Sequence, residues 1–308
     1  MTTLILQHDD CLAHDPGTNH PESSARLRAV LGAVKNIAGT EILPAPLASP
    51  EQVMRVHGED YWAQVVAAEP ASGQVALNED TLLSPGSINA ALRGSGAACF
   101  AVDQIFAGKA KNAFCPTRPP GHHAEAGLAM GFCLLNHVAV AARHALALHP
   151  VRRVAIVDFD VHHGNGTQAI FEQSPEVFFA SSHQMPLYPG TGYPDEVGCG
   201  NILNMPLQAN SGGKEFRQVW AQLGLPALHA FAPDLILISA GFDAHAGDPL
   251  AQLKLKDSDY AWITTAICDY AEKACGGRVI SVLEGGYNLE ALAGAARAHV
   301  KALAQERP

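Results

Sequence analysis

The 308-residue sequence predicts an α/β fold, with a parallel sheet covered by helices on both faces. Two observations carry this expectation. Short apolar runs alternate with longer Ala-rich stretches of helical period, which is the pattern of βαβ units. Residues able to do chemistry (His, Asp, Gly and Tyr) cluster directly after the apolar runs, where open parallel sheets bind their ligands. No repeat, low-complexity tract or long polar linker breaks the alternation. The segment LPAPLASP (43–50) reads as a Pro-rich loop too short to separate domains, so one domain over residues 1–308 is expected.

In chain order, LILQH (4–8) is the first apolar run, and SINAALRGSGAACFAVDQIFAG (87–108) is a long small-residue helix. The strand AFCPT (113–117) runs into RPPGHHAEAG, and GFCLLNHVAVAARHALAL (131–148) reads as the next helix. The strand RVAIVDFD (153–160) leads into VHHGNG, and VFFASSH (177–183) is another strand. LILISAG (235–241) leads into FDAHAGDP, followed by the helix YAWITTAICDYAEKA (260–274). RVISVLEGG (278–286) carries LEGGYN at its end, and LEALAGAARAHVKALAQ (289–305) closes the pattern as a helix. Four strand ends thus carry polar motifs, and a parallel sheet would bring them to one edge.

Composition narrows the function class. Hydrophobic residues make up 48% and charged residues 16%, which allows a large core and excludes disorder. The net charge of −10, without a Lys/Arg cluster, argues against a nucleic-acid partner. No apolar run approaches the roughly 20 residues of a membrane span. MTTLILQHDD lacks the basic start of a signal peptide. The seven cysteines include no C-x-x-C pair, so they read as buried apolar residues of a reducing compartment, and a cytoplasmic location is expected. Nothing in the sequence indicates an oligomeric state.

The densest motif is DFDVHHGNGTQ (158–168). In an extended backbone Asp158, Asp160 and His162 would point to one side, while Phe159 and Val161 point into packing. Asp160 and His162 can then share one cation. Two acids and two histidines after an apolar strand would be costly to desolvate without one. A catalytic zinc site typically has three protein ligands and an open position. Asp243 is the leading third ligand, because it too follows an apolar strand, with Asp248 and His245 as further candidates. In RPPGHHAEAG, His122 and His123 are adjacent loop residues that can each take a separate partner, such as Asp158 or Asn165, and one could serve as a base. In LEGGYN, Gly285 and Gly286 permit a turn that projects Tyr287, whose hydroxyl could donate to an oxyanion. On its own that turn fits a packed tyrosine equally well.

Taken together and in this order, RPPGHHA, GFCLLN, DFDVHHGNGTQ, AGFDAHAGDPL and LEGGYN resemble the zinc-dependent histone deacetylase and acetylpolyamine amidohydrolase superfamily. The resemblance runs from HPESSARL (20–27) to LEGGYN and is nearest to class II deacetylases and their bacterial relatives. It implies the arginase–deacetylase fold, a three-layer αβα arrangement with a mostly parallel sheet. It also implies hydrolysis of an N-acyl amide, with a small-molecule or peptide substrate such as an acyl-lysine. Acetylpolyamine hydrolysis and a two-metal ureohydrolase on the same fold are the alternatives.

By the same resemblance, Asp160, His162 and Asp243 match the ligands of zinc, with ferrous iron as the other possible metal. His123 matches the general base, His122 its electrostatic partner and Asp158 the acid paired with His122. Tyr287 matches the transition-state tyrosine. Asp158, Asp160, His162, Ser181 and Ser182 match a structural potassium site. Gly131, Phe132 and Tyr188 match the substrate tunnel, and Leu250 stands where an acidic gatekeeper marks polyamine specificity. Asn165 stands beside His123 where many class I enzymes have an aspartate, which should lower the basicity of His123. His163 has no role beyond packing.

Overall fold

A computed structural model describes residues 2–305. Its strands are β1 (Thr3–Gln7), β2 (Thr40–Pro44), β3 (Val75–Ala76), β4 (Leu82–Leu83), β5 (Asn112–Cys115), β6 (Val154–Asp158), β7 (Val177–Gln184), β8 (Ile202–Leu207), β9 (Leu235–Ala240) and β10 (Val279–Leu283). Its helices are α1 (Asp10–Ala13), α2 (Ser24–Val34), α3 (Pro50–Met54), α4 (Glu59–Ala67), α5 (Ser87–Phe106), α6 (His137–Leu148), α7 (Asn165–Phe171), α8 (Gly213–Val219), α9 (Leu225–Phe231), α10 (Asp257–Cys275) and α11 (Leu289–Leu303). A π-helical turn, Trp220–Gly224, joins α8 to α9.

Eight strands form one sheet in the order β2-β1-β5-β10-β9-β6-β7-β8, and every pairing in it is parallel. The strands alternate their faces as the backbone period demands. On β6, Ala155 and Val157 join the core shared with α2, α10 and α11, while Val154 and Ile156 join the core shared with α5 and α6. Both faces are therefore covered, which gives three layers. The four strands whose ends carry the motifs, β5, β10, β9 and β6, are consecutive neighbours at the centre of the sheet. Their carboxyl ends lie on one edge, as expected.

Three readings need correction. The segment 43–50 is not all loop: Leu43 and Pro44 end the edge strand β2. Proline is tolerated there because an edge strand leaves one side unpaired. The helix expected over 131–148 starts only at His137. Gly131 and Phe132 both have positive φ, which no helix accepts, and Asn136 caps the helix by accepting from Ala139 N. Finally, β6 stops at Asp158 rather than 160, so Asp160 and His162 lie beyond the strand. Two short side-chain bonds turn the chain there: Asp158 Oδ1 accepts from Asp160 N, and Asp160 Oδ1 accepts from His162 N. Phe159 and Val161 still enter the core.

Candidate active site

Asp160, His162 and Asp243 converge at the centre of this edge. His162 Nδ1 stands 3.1 Å from Asp160 Oδ1 and 3.2 Å from Asp243 Oδ2. Donors bound tetrahedrally to one zinc ion stand about 3.3–3.5 Å apart, so the spacing fits a shared cation with little movement. Both carboxylates are buried, and each has its other oxygen committed to the backbone. Gly285 N donates to Asp160 Oδ2, and Val161 N donates to Asp243 Oδ1. Asp243 Oδ2 accepts no hydrogen bond despite its burial. Burial, then the neighbouring Asp160, raises the Asp243 carboxyl well above the usual carboxylate range. A buried, orphaned acceptor in a set of crowded acids is what a cation would relieve. Gly241 and Gly285 leave the room, since a Cβ at either would overlap an Asp160 or Asp243 carboxylate.

Asp248 and His245, the other sequence candidates for the third ligand, stand apart from this cluster. Asp248 Oδ2 accepts from Tyr287 N at 2.7 Å and so fixes the turn that carries the tyrosine. His245 pairs with Asp257 at 3.3 Å.

The tandem histidines do take separate partners. His122 Nδ1 lies 2.9 Å from Asp158 Oδ2. Burial opposes its protonation, but Asp158 and Asp160 outweigh it and lift His122 to about 10. His123 Nδ1 lies 2.8 Å from Asn165 Oδ1. Burial, then His122 and His162, hold His123 well below its ordinary value, so its ring is neutral. Asn165 carries no charge, and its hydrogen bond acts in the opposite direction to the burial.

A cavity of about 300 Å³ opens onto these groups, lined among others by His123, Phe132, His162, Tyr188, Leu250 and Tyr287. Phe132 packs edge-on to Tyr287, with ring centres 6.1 Å apart, and Tyr188 packs edge-on to His123 at 5.2 Å. Phe132 adopts φ 70°, a strained value that places its ring on the cavity wall. Gly131 has no Cβ because the His123 ring occupies that space. Tyr287 keeps its phenolic proton, because burial pushes its ionisation well above the ordinary range.

On the flank, Asp158 and Ser181 are register partners on β6 and β7. Ser181 Oγ lies 2.9 Å from His183 Nδ1, and Ser182 Oγ accepts from Trp220 Nε1. His163 turns away from the cluster, its ring nitrogens at 2.8 Å from Thr191 Oγ1 and 2.9 Å from Gln168 Oε1.

Sequence reasoning missed two supports. Arg26, within HPESSARL, is buried and donates to the carbonyls of Glu284 and Gly286, with its guanidinium over the Tyr287 ring at 4.8 Å. Glu22 anchors Arg26 and Arg118 together. Glu284, in LEGGYN, accepts from Gly121 N and His122 N and so ties the tandem-histidine loop to β10. No signal in the sequence marked them, because their partners lie 260 and 163 positions away in the chain.

Known proteins share this architecture. The sequence model of the histone deacetylase domain matches residues 20–303. The chain is 40% identical over 274 residues to a histone deacetylase-like amidohydrolase of Pseudomonas aeruginosa, covering 87% of this chain and 72% of that protein. It is 38% identical over 299 residues to a probable deacetylase of Archaeoglobus fulgidus, covering 94% and 82%. The crystal structure of the HDA15 HD domain superposes with a TM-score of 0.93 at 35% identity, covering 99% of this chain and 88% of that one.

Proposed function

The chain belongs to the histone deacetylase family, and from that premise we propose that it is a metal-dependent amidohydrolase acting on an N-acyl amide, with an acyl-lysine or related acylated amine as substrate. The reading takes residues 1–308 as one deacetylase domain. The observation that carries it is the convergence of Asp160, His162 and Asp243 beside a neutral His123 at the floor of an aromatic-walled cavity.

Asp160, His162 and Asp243 would hold zinc, with ferrous iron as the alternative. Such an ion supplies a Lewis acid that polarises the amide carbonyl and makes a water molecule more acidic. Phe132 and Tyr188 flank the acyl chain and exclude water. His123 Nε2 takes the proton of the attacking water and later returns it to the leaving amine. His122, held protonated by Asp158, is the electrostatic partner of His123, against which its ring packs. Tyr287 donates its hydroxyl proton in a hydrogen bond to that oxyanion. We extend the family resemblance to a structural potassium ion, held by Asp158, Asp160, His162, Ser181 and Ser182 and with no part in the chemistry; Asp158 and Ser181 face each other on β6 and β7.

Leu250 at the cavity mouth offers no charge to a polycationic tail, which favours acyl-lysine over acetylpolyamine. A two-metal ureohydrolase would need further carboxylates after His162. The positions there are His163, Gly164 and Asn165, and His163 is bonded elsewhere. The partners proposed are small-molecule or peptide acyl amides, not nucleic acid. No helix among the described residues is long and apolar enough to cross a membrane, and a cytoplasmic location belongs to this reading. The test is a turnover panel of acetyl-lysine peptides, longer acyl-lysines, acetylated polyamines and aryl amides. Acyl-lysine hydrolysis is expected to lead it, and a panel led by acetylpolyamines would overturn the substrate assignment.

A further inference from the structure

Asn165 has a problem that an aspartate would not have. An aspartate offers His123 two equivalent oxygens, whereas an asparagine side chain offers an acceptor on one side and a donor on the other. If the amide turned over, its NH₂ would face His123 Nδ1. That nitrogen would then have to accept, the ring proton would move to Nε2, and His123 could not serve as a base at Nε2. Something must hold the amide in one orientation.

Glu125 lies in place to do so. It follows the tandem histidines in GHHAE, and its Oε1 accepts from Asn165 Nδ2 at 3.2 Å. A carboxylate accepts and does not donate, so it selects the NH₂ side of the amide. Met130 Sδ, also an acceptor, lies 3.2 Å from the same Nδ2. With Nδ2 committed to two acceptors, Oδ1 must face His123 Nδ1, where the distance is 2.8 Å. Nδ1 then carries the ring proton and Nε2 is left bare. We propose that Glu125 is a positioning residue, which fixes the Asn165 amide and through it the catalytically competent tautomer of His123. This rests on the deacetylase reading above for its consequence in turnover, but not for its effect on the tautomer.

The test is a double-mutant cycle with Asn165→Asp, followed by kcat and KM on an acetyl-lysine peptide with the metal-loaded protein. Glu125→Ala in the wild-type background is expected to lower kcat about 10-fold or more, with KM little changed, as for outer partners of an orienting group. Glu125→Gln, whose amide can turn and offer either its oxygen or its NH₂ to Asn165, should restore activity only in part. In the Asn165→Asp background, orientation no longer matters and Glu125 faces a like charge, so Glu125→Ala should be neutral or should raise kcat. An equal loss in both backgrounds would mean that Glu125 merely supports the loop, and the proposal fails. The same variants are read without turnover by ¹⁵N imidazole shifts. His123 is expected as the Nδ1–H tautomer in the wild type and as a mixture in Glu125→Ala. An unchanged tautomer in Glu125→Ala overturns the proposal. A wild type with the expected tautomer shift but no acetate release would instead overturn the deacetylase reading.

Discussion

Among the described residues, two groups bring three Asp and His side chains together closely enough to share an ion, and they are built differently. Asp160, His162 and Asp243 sit at the carboxyl edge of the sheet. Asp103, His144 and His149 sit at the other end, where α5 and α6 finish before their next strands begin. In the second cluster both imidazole Nε2 atoms lie 2.8 Å from the same oxygen, Asp103 Oδ1. That spacing is shorter than the 3.1 and 3.2 Å of the first cluster. Asp103 is 43% exposed, so water can satisfy it, whereas Asp160 and Asp243 are 1% and 0% exposed and one of their oxygens is orphaned. Gln52, its oxygen engaged by Ser49 N, turns its NH₂ towards His144 Nδ1 and favours a proton on Nε2. Residue type alone does not make a metal site. Wider spacing, burial and an unmet acceptor distinguish the first cluster from the second.

The largest effect that would break this comparison is metal removal. Dialysis against a strong chelator should abolish turnover, and one equivalent of zinc or ferrous iron should restore it. Persistent acetate release from metal-free protein would remove the distinction between the clusters. Next in size is Tyr287→Phe, expected to keep the metal and to lose on the order of 10²–10³ in kcat. Near wild-type turnover would refute the oxyanion role. Asp103→Asn should leave turnover unchanged and cost about 1 kcal/mol of stability, as read by denaturant midpoint, because it weakens two half-exposed bonds. A drop in metal content would reverse the assignment.

A further effect concerns the scaffold that carries both clusters. Burial lowers His57 and His137 to about 4 and His299 to about 3. Their folded values lie below the ordinary 6.5, so they stay neutral in the fold while the unfolded chain takes up protons. The stability they contribute is present above pH 6.5 and is lost as pH falls towards 4. Thermal melts from pH 7.5 to 4.5 should show this decline, and a flat profile would contradict it.

The alternation of apolar runs and helices made the central strands legible, because β5, β6, β9 and β10 are buried on both faces and read as continuous apolar runs. The edge strand β2 was hidden by its half-exposed pattern and by Pro44, and β8 by Asn204 and Pro206. Asp160 and His162 stood out as metal candidates by density, and Asp243 by its place after an apolar strand, although the turn after Asp158, not strand period, brings Asp160 and His162 together. Glu125 and Arg26 were not legible as supports. Their partners lie 40 and 260 positions away in the chain, and only the folded sheet edge brings them together.

The central claim is tested most directly by counting zinc and iron per chain in the wild type, Asp243→Ala and Asp103→Ala, with acetate release measured on the same samples. About one ion per chain is expected in the wild type and in Asp103→Ala, both active, and neither metal nor activity in Asp243→Ala. Metal and turnover that survive in Asp243→Ala, or that disappear with Asp103, would contradict the account.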